Sequence, residues 1–200
     1  MSTKTYRRFD PWRPSPVKEE SRRQIVASHY FNVDRVAFSS ALVGQFERFL
    51  LEENNGDTVG VIAKTPDGRI PFVEQYRIPT HRWTLEIPAG HASSSEERPR
   101  DVALRKLREE AGYEADHLSQ FARIINTPSF STQHTALFYA TGLTPAERST
   151  IGPETPRSDV RLYTLDEAYA MVLDGTILDA KSVIAVLRLH EGLAEPEPLS

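Results

Sequence analysis

The chain contains no cysteine. That absence excludes disulfides, thiolate zinc sites, iron–sulfur clusters and a cysteine nucleophile together, and leaves a reducing cytoplasm as the simplest home. No apolar run approaches the roughly 18–20 residues a membrane helix needs, so no contact with a bilayer core is expected. The opening Met1–Arg8 leads into Phe9-Asp-Pro-Trp12 instead of an apolar core, so a secretory leader is not expected. Also missing are the Gly-x4-Gly-Lys-Ser/Thr loop, the Gly-x-Gly-x-x-Gly turn, the His-Glu-x-x-His pair and the Gly-x-Ser-x-Gly elbow. P-loop, dinucleotide-fold, zinc-protease and serine-hydrolase readings therefore lack their signals. Basic charge is short as well: 24 Lys and Arg against 28 Asp and Glu argues against nucleic acid as the main partner.

What is present suits one folded domain with an arm: 200 residues, 39% hydrophobic and 26% charged. Residues 1–24 carry seven Lys or Arg against three acids in an otherwise acidic chain. With Pro11, Pro14 and Pro16 among them, residues 1–28 are expected to form an extended basic arm, either a solvated terminus or a contact to phosphate or a subunit. Residues 29–57 are expected as N-terminal strands, 58–192 as the main domain, and 193–200 as a disordered acidic tail.

The period of the apolar residues orders the middle. Phe31–Leu51 is rich in β-branched and aromatic residues with partial alternation, which favours strands. Thr58–Ala63 and Ile70–Arg77 flank Thr65-Pro-Asp-Gly68, which predicts two strands joined by a tight hairpin turn. Trp83–Ile87 reads as a strand stopped by Pro88-Ala-Gly90. Pro99–Ala111 reads as a helix, with Ser94-x-x-Glu97 as its capping box and Gly112 as its stop. Strands follow near 121–126, 136–141 and 159–163. Thr164-Leu-Asp-Glu167 opens a second helix and Asp179 caps a third, whose Val183, Ile184, Val186, Leu187 and Leu189 form an apolar face. The sum is an α+β, sandwich-like fold with mixed sheets.

One stretch carries chemistry. A strand ends at Pro88-Ala-Gly90, a loop follows, and a helix then presents Glu109 and Glu110. Positions 106 and 110 share a helix face. Carboxylates at both would form a hard oxygen site suited to Mg²⁺. Position 106 is Lys, however, and the residues alone favour a solvated face with ion pairs such as Arg105–Glu109.

The same stretch resembles the Nudix box, Gly-x5-Glu-x7-Arg-Glu-U-x-Glu-Glu-x-Gly-U, where U is bulky and apolar. Arg105-Lys-Leu-Arg-Glu-Glu-Ala-Gly-Tyr113 fits every specified position except 106, and one extra loop residue makes Glu97 the box glutamate. Glu74-Gln-Tyr-Arg-Ile-Pro79, Glu86-Ile-Pro-Ala-Gly90 and Asp174–Lys181 resemble the ADP-ribose and ADP-sugar pyrophosphatase branch. The resemblance implies a Nudix fold, an α/β/α sandwich with mixed sheets, preceded by antiparallel N-terminal strands through which two copies form a homodimer. It implies a nucleoside diphosphate sugar as substrate, cleaved to AMP and a sugar phosphate with Mg²⁺ or Mn²⁺. It places metal at the Ala89 carbonyl, Glu97, Glu109 and Glu110, and the diphosphate on Arg77. Tyr76 and Trp83 lie where adenine would stack, or where they simply pack between strands.

Three departures stand out. Lys106 replaces a metal-binding glutamate. Gln133, in Ser129-Phe-Ser-Thr-Gln133, replaces an acid and is the candidate for a substrate contact. The late loop reads Gly152-Pro-Glu-Thr-Pro-Arg-Ser-Asp159, where Glu154 or Asp159 would be the base. Two outcomes follow: Lys106 meets substrate phosphate as a point charge, partly replacing a metal while Glu109, Glu110 and the Ala89 carbonyl hold one Mg²⁺, and catalysis is kept; or the chain is a nucleotide-binding module without the chemistry.

Overall fold

Thr58-Val-Gly-Val-Ile-Ala63 is buried at all six positions, which a strand achieves only with packing on both faces. In the computed structural model, which describes residues 9–149 and 159–199, this strand lies at the centre of the molecule. In chain order the strands are β1 (Lys18–Ala27), β2 (Phe31–Ser40), β3 (Gly44–Glu53), β4 (Thr58–Ala63), β5 (Arg69–Arg77), β6 (Arg82–Glu86) and β7 (Ala89–Gly90). Helix α1 (Pro99–Lys106) follows, then β8 (Tyr113–Ile125), β9 (His134–Pro145), β10 (Asp159–Thr164), α2 (Leu165–Leu173) and α3 (Ala180–His190).

Three sheets result, in the orders β1-β2-β3, β10-β5-β6 and β7-β4-β9-β8. The last is mixed, because β4 runs parallel to β9 while its other pairs are antiparallel. Alternation along β4 and β9 divides the interior in two. Val59, Val61, Ala63, Ala136, Phe138 and Ala140 pack with Val102, Ala103 and Leu107 under α1. Ile62, Leu137 and Tyr139 pack instead with Phe72, Ile87, Ile177 and Val186 under the β5–β6 sheet, α2 and α3. This is the expected α/β/α sandwich with the antiparallel N-terminal sheet before it. Among the described residues no helix is long and apolar enough to cross a membrane.

Local chemistry explains the boundaries. Thr164 and Glu167 close the capping box of α2 at 3.2 and 2.7 Å, and Asp179 caps α3 through the Ser182 N–H at 3.1 Å. Helix α1 widens after Lys106 into one π turn, Leu107–Ala111, a device frequent at functional sites. Gly112 ends it with φ 75°, a left-handed residue whose N–H reaches the Arg108 carbonyl.

Several expectations are corrected. Residues 18–27, assigned to the arm, pair with β2 as strand β1. The Thr65–Gly68 turn forms, but β4 and β5 enter different sheets instead of pairing as a hairpin, because β7 and β9 occupy both edges of β4. Strand β8 starts at Tyr113, well before residue 121. The acidic tail lies along β8, with Leu118 N–H to the Glu197 carbonyl at 2.9 Å and Leu199 N–H to the Asp116 carbonyl at 2.7 Å. As an edge strand, β8 offers unpaired backbone groups that recruit the tail. No capping box forms at Ser94; the residue preceding α1 is Arg98, and Glu97 is used elsewhere.

Leu107 is fully buried and anchors the π turn to the sheet. Leu107→Ala should lower unfolding free energy by about 2–5 kcal/mol in urea titrations, the usual cost of deleting a buried leucine's methyl groups.

Candidate active site

Two residues, Ala89 and Gly90, pair with Gly60 and Val59 of β4 as the short strand β7. The π turn packs beside them: the Ala89 N–H donates to Glu110 Oε2 at 3.0 Å. Leu107 and Ala111 are buried while Glu109 and Glu110 stay partly exposed.

Arg105 organises this end. Its Nε and Nη2 fork the Glu97 carboxylate at 2.7 and 2.8 Å, its Nη1 lies 3.2 Å from Glu109, and Nη2 also donates to the His91 carbonyl. The Ser93 N–H adds a bond to Glu97 at 2.7 Å. The expected Arg105–Glu109 pair exists, but Glu97 is the closer partner. The guanidinium beside it holds the Glu97 carboxyl at about 2. Glu97 was expected as a metal ligand; the structure makes it the strap that fastens the 91–97 loop to α1.

Lys106 lies over the same turn, its Nζ 3.0 Å from Glu109 Oε2 and 3.7 Å from Glu110 Oε1. Burial pushes the Glu110 carboxyl up, against the Ala89 N–H and the charges of Lys106, Lys181 and Arg77. The segment that bonds Glu110 through Ala89 follows directly on Glu86, which belongs to a second group of residues.

The second group lies where β5, β6 and α3 meet. Glu86 is buried, 3% exposed at its side chain. Arg77 grips it with two bonds of 2.7 Å, the Thr84 hydroxyl adds a third at 2.7 Å, and Lys181 bonds it from the first turn of α3. Burial alone would raise this carboxyl; Arg77 and Lys181 outweigh it and hold Glu86 at about 2. Above the group opens a cleft of about 380 Å³ lined by Arg77, Trp83, Thr84, Thr176, Leu178 and Lys181 among others. Trp83 is half-exposed there, and Tyr76, its partner across the strands, backs it edge-to-face at 5.7 Å.

Neither Glu86 nor Lys181 was singled out as a site residue from sequence. The signals were present: an acid inside the apolar run Leu85-Glu-Ile87, and a lysine in the first turn of a helix, where the macrodipole disfavours a cation. Gln133 is placed differently from Arg77 and Trp83. Its amide donates to Glu53 and, at 3.2 Å, to the Thr58 hydroxyl. Glu53 in turn lies 3.3 Å from His91 Nδ1, so Gln133 reaches the Arg105 network only through two intervening residues. Glu154 lies outside the described residues. Asp159 opens β10, 71% exposed and 3.6 Å from Arg161.

The Mg²⁺ or Mn²⁺ implied by resemblance meets a poor donor set. Among the described residues no group of three or more His, Cys, Asp or Glu side chains is arranged to hold a metal ion. Glu110 is bonded to the Ala89 N–H, but an ammonium already lies between Glu109 and Glu110 and a guanidinium flanks Glu109. A divalent ion would have to displace Lys106 to reach these carboxylates, so the residues as placed do not fit one.

An α/β/α sandwich with a cleft floored by Arg and Lys, and an acid-bearing helical turn bonded to the segment that follows Glu86, defines a class of phosphate-handling domain. The NUDIX domain family matches residues 54–185, and the chain belongs to that family. It is 39% identical over 137 residues to the "Methanol dehydrogenase activator" of Bacillus methanolicus, and 36% identical over 137 residues to the "ADP-ribose pyrophosphatase" of Bacillus subtilis. Each match covers 68% of this chain and 74% of the relative. A solved structure titled "Crystal structure of ADP compounds hydrolase" superposes with a TM-score of 0.72 at 20% identity, over 88% of this chain and 94% of that one; this likeness supports the fold alone.

The depressed carboxyls set an acid limit. Glu86 and Glu97 ionise at about 2 in the folded chain against an ordinary 4.5. Their stabilisation is therefore complete above pH 4.5 and lost as pH falls toward 2. For buried Glu86 the loss is on the order of 3 kcal/mol. Chemical denaturation across this range should show stability falling with pH, and Glu86→Gln should be less stable at neutral pH with a flatter acid limb.

Proposed function

We propose that this chain is a NUDIX pyrophosphatase that hydrolyses the diphosphate of ADP-ribose or a related nucleoside diphosphate sugar, releasing AMP and a sugar phosphate. The observation that carries this reading is the cleft floored by Arg77, Glu86 and Lys181, from which the chain runs three residues to Ala89, whose N–H holds Glu110 of the acidic turn. The names of the relatives support it: an ADP-ribose pyrophosphatase in Bacillus subtilis and, at 24% identity, a GDP-mannose pyrophosphatase in Yersinia enterocolitica.

The roles follow from charge and position. Arg77 and Lys181 line the cleft and offer donors to the diphosphate oxygens. Trp83, half-exposed and backed by Tyr76, offers a face for the base. Glu110, raised by burial, takes the proton from water as its oxygen attacks phosphorus and the bridging P–O bond breaks. Glu109 orients that water, and Lys106 offsets charge on the transferred phosphoryl group. Glu154 keeps its proposed part as an accessory base from the late loop. The Mg²⁺ or Mn²⁺ of the resemblance does not fit the donors present, and the reaction is written without it.

The same reading gives the protein a homodimer through its N-terminal sheet and a cytoplasmic home. Supporting the dimer, β1 is exposed along its whole length, and Ile25, Val26, Leu42, Val43 and Phe49 present apolar surface with little covering it. One observation favours a second reading, a nucleotide-binding module with impaired catalysis: Lys106 pairs with both acids the chemistry needs.

Incubation with ADP-ribose and related nucleoside diphosphate sugars, with AMP read by chromatography, tests the two. Hydrolysis should appear, and Glu110→Gln should lower kcat/KM by about 100-fold or more with binding retained, as loss of a general base does. Binding without AMP release would select the second reading.

A further inference from the structure

A side chain at Gly90 would collide with Lys106: a Cβ there would lie 2.9 Å from Lys106 Cδ and closer still to Cε. Gly90 thus leaves a slot in β7, and the aliphatic stem of Lys106 fills it. The slot aims the ammonium over the acidic turn, 3.0 Å from Glu109 and 3.7 Å from Glu110. The other oxygen of Glu110 is fixed by the Ala89 N–H. An ammonium carries three donors; Glu109 takes one, and the spacing to Glu110 exceeds a hydrogen bond. With its side chain 20% exposed, Lys106 keeps donors for an incoming oxygen.

The charges around it are complete without a metal. Glu109 is flanked by Arg105 and Lys106, Glu86 by Arg77 and Lys181, and Glu110 lies within the field of Lys106, Lys181 and Arg77. Resting on the reading of this cleft as a diphosphate site, we infer that Lys106 is a tethered cation standing where a divalent ion would be, and that this protein grips the diphosphate directly through it, with no metal bridge. A compact ammonium suits that work, since phosphate oxygens meet it as a point charge without the octahedral geometry a Mg²⁺ ion demands. Covalent attachment also makes the cation independent of metal concentration.

Calorimetric titration of the wild-type chain with ADP-ribose whose bridging diphosphate oxygen is replaced by a methylene group, so that no turnover occurs, in excess EDTA and then in excess Mg²⁺, tests this. The two dissociation constants should agree within about twofold, because the cation that matters cannot be chelated. Lys106→Met keeps an unbranched stem in the slot and removes the charge; it should weaken binding in EDTA by about tenfold or more, as loss of a charged hydrogen bond does. Lys106→Glu should lose binding in EDTA and gain a Mn²⁺ site, read from depletion of the free-ion electron paramagnetic resonance signal, that the wild type lacks. Wild-type binding that requires Mg²⁺, a wild-type Mn²⁺ site abolished by Glu110→Gln, or unchanged EDTA binding in Lys106→Met would each overturn the tethered cation while leaving the diphosphate reading intact. The EDTA comparison needs no variant, so it decides even if a substitution fails to fold. Absence of binding by ADP-ribose and other nucleoside diphosphate sugars in both buffers would overturn the diphosphate reading and this inference together.

Discussion

Burial on both faces of β4 and β9 is the constraint on which the other parts depend. A sheet packed on two sides needs covering layers on two sides, and the chain supplies α1 for one and the β5–β6 sheet with α2 and α3 for the other. That arrangement sets where charge can lie. Strand β7 is held to β4, so the turn after α1 must meet the Pro88–Gly90 segment. Glu86, ending β6 beside that segment, is drawn under α3, where Lys181 finds it. The polar groups of the site therefore occupy the seam between the layers.

Inside the seam, two acids experience burial and end in different states. Glu86 has a bidentate guanidinium and an ammonium bonded to it and stays ionised well into acid. Glu110 has one backbone N–H and charges at longer range, and burial prevails. The contrast divides the labour between them. A carboxylate locked to Arg77 and Lys181 shapes and aims cations toward the cleft. A carboxyl raised by burial holds a proton more readily than Glu86 does. Arg105 performs a third task, since its fork to Glu97 fastens the loop that carries His91 and leads into α1.

Much of this was legible in the residues, and the exceptions have physical causes. The period of apolar residues located the strands and helices, and the box at Thr164 and the cap at Asp179 located helix starts, because these signals are local. The box at Ser94 misled because Glu97 has a stronger, distant partner in Arg105 eight residues on. The Thr65–Gly68 turn formed as its residues demand, yet which strands pair is decided by edges contributed from residues 89–90 and 134–145, beyond any local window. The tail looked disordered by composition; it is ordered by an unpaired edge of β8 that composition does not reveal. At the site, the acids and Lys106 were visible as a pattern, whereas the approach of Lys181 to Glu86 joins positions 95 apart in the chain.

The lysine at 106 illustrates how little of the fold depends on the charge it carries. Its stem lies in the slot beside Gly90, and a glutamate's shorter stem would pass the same backbone with room to spare. The electrostatics, in contrast, change sign. Three carboxylates on adjoining turns would repel one another, at about 4 kcal/mol per pair for 4 Å spacing in a medium of intermediate dielectric, and would require an external cation to be stable. With an ammonium in their midst, Glu109 and Glu110 are offset from within. Such a turn holds its shape before any ligand arrives, so less ordering remains to be done on binding. The same closure limits it: an ammonium brings one positive charge where a divalent ion brings two, and it cannot acidify a coordinated water. On the proposed reading, proton removal then falls on Glu110, whose carboxyl burial raises.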